Sequence, residues 1–194
     1  MNIMNIRRIA LSLALAAAAP LAAAHTGADA GAHHGFVAGV LHPFTGLDHL
    51  AAMLAVGLWS ALICARWQDA VKAPLSFAGV LLIGALLGAG GLVLPAVEPM
   101  IATSLLALGL LLAARQTLPA PAAMGLVALF ALFHGAAHGQ ELAGAGALAG
   151  MVLATALLHG AGLAVGFALR TRSLWWPRLA GAATALFGVA LLFG

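Results

Sequence analysis

His42-Pro43-Phe44-Thr45-Gly46-Leu47-Asp48-His49-Leu50-Ala51-Ala52-Met53 opens a long apolar stretch and sets an aspartate and a histidine inside it. Ionisable groups in hydrocarbon cost roughly 2.5–3.5 kcal/mol each on insertion scales, so they mark pathways, relays or ligand sites. Pro43 and Gly46 allow a tight turn into the span. At 1.5 Å per residue, Asp48 and His49 are expected about 8–9 Å into its helix. Met53 falls one turn below His49 on the same face, where packing is its expected role.

The remainder of the chain is equally apolar. Of its 194 residues, 64% are hydrophobic and 7% charged, against about 25% charged in a soluble domain. The reading is an all-α, polytopic membrane helix bundle: a cleavable signal peptide followed by six transmembrane helices. Residues 1–24 carry Arg7 and Arg8, an apolar core from Ile9 to Ala19, and a small-residue cleavage site at Ala22-Ala23-Ala24. An uncleaved signal anchor is the other reading of that segment. Residues 25–42 form a histidine-containing segment, and 43–194 the transmembrane domain. Its apolar stretches fall at about 43–65, 74–94, 97–114, 121–138, 143–169 and 174–193, each near the roughly 20 residues that span a bilayer.

The basic residues orient these spans. With the mature N-terminus outside, the loops 66–73, 115–120 and 170–173, together with Arg178, hold Arg66, Lys72, Arg115, Arg170 and Arg172. No Lys or Arg after the leader is left for the outer side, as the positive-inside rule requires. Trp67, Trp175 and Trp176 mark the same inner interface. The expected location is a bacterial inner membrane with the mature N-terminus in the periplasm. Gly84/Gly88, Gly135/Gly139, Gly146/Gly150 and Gly162/Gly166 are spaced as packing seams between membrane helices.

The chemistry gathers on the outer side. His42 sits at the mouth, and Asp48 and His49 follow within the first span. His134 and His138 are spaced i, i+4 at the outer end of the fourth span, with Glu141 three residues on. If that helix runs through Gly139, all three stand on one face, at a depth similar to Asp48 and His49. Imidazole with carboxylate suits borderline divalent metals such as nickel, zinc, cobalt and iron. The plainer alternatives are a macrodipole role for Asp48 and interhelical hydrogen bonding for the histidines. His159, deeper in the fifth span, reads equally as a secondary station or as a core histidine. His25, if freed by cleavage, could chelate metal through its amine and ring, helped by Asp29, His33 and His34.

Other functions are poorly supported. One cysteine, Cys64, excludes an intrachain disulfide. There is no GxxxxGK[ST] loop for ATP and no HExxH for a metalloprotease. So few basic residues make no nucleic-acid surface. A membrane cytochrome, with His49, His134 or His159 on haem iron, is a rival. A metal-binding sensor or assembly protein without transport is another. The expected partners are a divalent metal ion and the lipid bilayer, with a homo-oligomer left open.

The run His42-Pro43-Phe44-Thr45-Gly46-Leu47-Asp48-His49-Leu50-Ala51-Ala52-Met53-Leu54-Ala55-Val56-Gly57-Leu58-Trp59 resembles the signature of the HupE/UreJ family. The resemblance continues through Phe133-His134-Gly135-Ala136-Ala137-His138-Gly139-Gln140-Glu141 and Leu158-His159-Gly160-Ala161-Gly162. It implies a nickel permease serving hydrogenase or urease maturation, a carrier or facilitated pathway rather than an enzyme, with no permanent cofactor. It also implies that His42, Asp48, His49, His134, His138 and Glu141 handle the metal. Nickel comes from the resemblance alone; the ligand types suit cobalt or zinc equally.

Overall fold

The computed structural model describes residues 33–171 and 175–194. The leader expected over 1–24, the segment bearing His25 and Asp29, the side chains of His33 and His34, and Arg172 lie outside the described residues.

Helices make up nearly all of the described chain: α1 (Phe36–Thr45), α2 (Leu47–Ile63), the single turn α3 (Trp67–Ala70), α4 (Lys72–Ala89), α5 (Val97–Ala114), α6 (Ala120–Glu141), α7 (Ala145–Leu169) and α8 (Trp175–Phe193). Counting α3 with α4, 5 of these are long and apolar enough to cross a membrane, and α1 with α2 makes up to 6 as a bent pair. Helices meet their backbone hydrogen-bonding needs internally, which hydrocarbon demands. The protein is an all-α membrane bundle.

The first span departs from the continuous helix expected from residue 43. It is two helices meeting at 86°. Pro43 lies inside α1 and has no N–H for the preceding turn, and Gly46 breaks the helix in an extended conformation. Helix α1 packs across α7 while α2 enters the bundle. Asp48 and His49 therefore occupy the first turn of α2, not a position about 8–9 Å into a helix.

Helix α2 is the centre of the bundle. It packs on α7 most extensively, and also on α5, α8, α1 and α4. Its buried residues include Asp48, His49, Met53, Gly57, Leu58, Ala61 and Leu62, which point in every direction around a helix of 3.6 residues per turn. Its ionisable groups thus face protein instead of lipid, which removes most of the insertion cost.

Glycine seams bring the helices together. A Cβ on Gly84 of α4 would strike the carbonyl of Leu132, and one on Gly135 of α6 the carbonyl of Leu81. Gly57 of α2 meets α7 in the same way at the His159 carbonyl. These are the close backbone approaches that small-residue spacing permits.

Two short strands, β1 (His33–His34) and β2 (Leu142–Ala143), pair in parallel with His33 opposite Leu142. Each passes into the next helix through a glycine at positive φ, Gly35 at 97° and Gly144 at 88°, a conformation that glycine adopts without penalty. The backbone preceding α1 is thereby fastened beside the residue that follows Glu141.

The described basic residues lie at the opposite end. Arg170 donates to the carbonyls of Cys64 and Ala65, joining the ends of α7 and α2. Arg66 and Lys72 donate to Asp69 at 3.0 and 2.8 Å. Trp59 Nε1 donates to the Gln116 carbonyl at 2.9 Å, tying α2 to the loop after α5. The bundle therefore has a histidine end and a basic end.

Candidate metal centre

Six side chains converge at the histidine end, and they form two tiers. The outer tier is His42 from the last turn of α1 and His138 and Glu141 from the last turn of α6. Donor atoms of these three all lie within 4.8 Å of one another. His42 Nε2 donates to Glu141 Oε2 at 2.8 Å. The bend at Gly46 makes this contact, because it turns α1 across the bundle toward the end of α6.

The inner tier is Asp48 and His49 of α2 with His134 of α6. All three are buried, at 2%, 0% and 0% exposure. Asp48 Oδ1 accepts the His49 backbone N–H at 2.9 Å and lies 2.9 Å from His49 Nδ1. An ionised carboxylate can only accept, so Nδ1 carries the proton and Nε2 carries the lone pair. A carboxylate behind an imidazole in this way also raises its basicity as a ligand. Asp48 Oδ2 accepts no hydrogen bond among the described residues. Leaving a buried charged oxygen unsatisfied costs more than about 1–3 kcal/mol, a deficit that a cation would remove.

His134 is set by a partner that sequence reading missed. Ser104 of α5 donates to the Ile101 carbonyl at 2.6 Å and lies 2.9 Å from His134 Nε2. A hydroxyl has one proton, and the carbonyl can only accept it. His134 Nε2–H therefore donates to Ser104, leaving its lone pair on Nδ1. The signal was a lone hydroxyl pair, Thr103-Ser104, inside an apolar span.

The tiers are in contact through His138. Ring centroids lie 4.9 Å apart for His42 and His138, 4.1 Å for His138 and His49, and 4.7 Å for His49 and His134. Helix α6 does continue to Glu141, as the one-face expectation requires. Glu141, however, pairs outward with His42, while His134 points inward to His49. The two clusters expected at similar depth are instead one stack running down into the bundle.

His159 of α7 stands apart from these four rings. It is 2% exposed, and its ring contacts Phe77 of α4 at 5.1 Å. Phe77 in turn lies 5.7 Å from His134. Met53 is fully buried in the apolar core. Glu98, at the start of α5, is exposed.

Fold and site together define a polytopic helical membrane protein with a histidine–carboxylate stack at one end of its bundle. The chain belongs to the HupE / UreJ protein family, which it matches over residues 13–191. Protein HupE of Rhizobium leguminosarum bv. viciae is 41% identical over 198 residues, covering 98% of this chain and 100% of that protein. No solved structure matches the chain.

Proposed function

We propose that the protein is an inner-membrane permease that admits a divalent metal ion, Ni²⁺ first, with Co²⁺ and Zn²⁺ as chemically equivalent candidates. The observation that carries this reading is the stack itself: four touching imidazoles flanked by two carboxylates, reaching from the bundle mouth to buried Asp48. Two carboxylates offset the charge of a divalent ion, and the imidazoles supply directional lone pairs. The histidine end would face the periplasm and the basic end the cytoplasm, by the positive-inside rule. His42, His138 and Glu141 would meet the ion first, and Asp48, His49 and His134 would take it next as it sheds water. The family membership and its accessory association support nickel supply for metalloenzyme maturation.

No ATP is required. An inside-negative potential favours cation entry by about 2.3 kcal/mol per charge per 100 mV. A haem role for His49, His134 or His159 fits the geometry less well. Axial ligation places a macrocycle against the iron-bound ring, whereas these rings pack against one another and against Phe77. The test is uptake of radiolabelled Ni²⁺ by proteoliposomes under an imposed diffusion potential. Flux that grows as the interior is made more negative supports the permease. Saturable binding with no flux at any potential would instead mark a sensor or assembly protein, and a Soret band in the purified protein a cytochrome.

A further inference from the structure

The rings at the core of the bundle form one unbroken chain. From the histidine end it runs His42, His138, His49, His134, Phe77, His159, with successive centroids 4.9, 4.1, 4.7, 5.7 and 5.1 Å apart. Five of the six members can ligate a metal. Phe77 alone cannot, and it stands between the four-imidazole stack and the last imidazole.

Phe77 is fully buried, in a core that also holds the fully buried Met53, Val56, Leu81 and Met151. Its ring is perpendicular to that of His159, at 88°, and tilted 55° to that of His134. Beyond Phe77 the polar groups resume. His159 Nε2 is buried without a hydrogen-bond partner among the described residues, and so is Ser60 Oγ. Ser60 lies about one turn beyond Gly57, the point where α2 abuts the His159 backbone. Ser60 also lines a cavity of about 90 Å³ at the basic end, with Trp59, Cys64, Asp69 and Lys72. Within the chain of rings, Phe77 is thus the one member without a polar atom, set between the stack and His159.

We propose that Phe77 is the gate of the pathway, a ring that separates the outer histidine–carboxylate stack from an inner metal station at His159. This rests on the permease reading above. An apolar constriction holds a pore shut by excluding the water a cation carries. Opening the gap then requires the ring to leave its staggered χ1 well for another. When it does, the ring face can attract the passing cation through its quadrupole. Imidazoles on both sides then allow the ion to exchange one nitrogen ligand for another across the ring.

The test separates rate from binding. Full-length protein carrying Phe77→Ala, Phe77→Leu or Phe77→Trp is purified, its Ni²⁺ affinity measured at equilibrium, and its Ni²⁺ flux measured in proteoliposomes. A gate requires maximal flux to rise severalfold in Phe77→Ala and Phe77→Leu and to fall severalfold in Phe77→Trp. Affinity and half-saturation should stay within about twofold throughout, because the stack that binds first is untouched. If Phe77→Ala does not fold, Phe77→Leu with Phe77→Trp gives the same opposed pair. Unchanged flux in every folded variant, or loss of flux in parallel with loss of affinity, overturns the gate while wild-type flux upholds the permease. Wild-type protein that binds Ni²⁺ without moving it overturns the permease reading, and the gate with it.

Discussion

His42 and Glu141 are 99 positions apart in sequence and 2.8 Å apart in space, Nε2 to Oε2. One contact joins the short helix before the bend to the end of the fourth full span, and it closes the mouth of the site. Both residues are part-exposed, His42 at 9% and Glu141 at 32% by side chain, so the pair can reach an arriving ion before the buried tier does.

The pair should act as a unit. His42→Ala and Glu141→Ala are each expected to weaken Ni²⁺ binding about tenfold, within the range for loss of a ligand's supporting partner. The double variant should be little weaker than the worse single one, because either change already breaks the contact. Calorimetric titration of the four proteins gives the coupling. A double variant weakened by the product of the single effects would show two independent sites.

Ser104→Ala should impair His134 without dismantling the bundle. The hydroxyl fixes the imidazole tautomer, so its loss is expected to lower Ni²⁺ affinity about 10-fold, the lower end for a supporting hydrogen bond. Ser104→Thr, which restores a hydroxyl, should recover most of it. Wild-type affinity in Ser104→Ala would show that His134 needs no such orientation.

Uptake should weaken as the outer solution is acidified. A protonated imidazole has no lone pair for a metal, so protons and the ion compete for the same nitrogens. Raising the outer proton concentration therefore lowers the apparent affinity for Ni²⁺. Flux that rises steadily with outside acidity would point to proton-coupled transport.

Gly135→Val should destabilise the bundle. The new side chain would strike the Leu81 backbone across the α4–α6 seam, and overpacking of this kind costs about 1–3 kcal/mol. Gly160→Ala, where a Cβ meets nothing within 4 Å, is the control and should leave the transition unchanged. Thermal unfolding in detergent measures both. Equal transitions for the two variants would show that the seam is not tightly packed.

Much of this was legible in sequence because membrane helices obey simple constraints. Apolar run length located the spans from α4 onward to within a few residues, and charge placement separated the two ends. The i, i+4 spacing of His134 and His138 marked one helix face. The bend at Gly46 was only half legible: Pro43 and Gly46 announced a turn, but its 86° angle depends on α1 finding a seat on α7. Tertiary partners were invisible for the same reason. Nothing local distinguishes Phe77 from other core phenylalanines, and its place between His134 and His159 arises from three different helices meeting. The division of the site into two tiers likewise depends on which way Glu141 and His134 point once α2 lies between the other spans.

The most direct measurement is radiolabelled Ni²⁺ flux into proteoliposomes containing wild type, Asp48→Asn or His49→Ala at matched protein density. Wild type is expected to admit Ni²⁺ down an inside-negative potential. Asp48→Asn should lose at least about tenfold, because the buried charge that offsets the ion and raises the basicity of His49 is removed, while an amide oxygen can still accept from Nδ1. His49→Ala should lose as much or more, since the ring at the centre of the stack is gone. Wild-type flux in both variants, with both proteins folded, would contradict the assignment of the site.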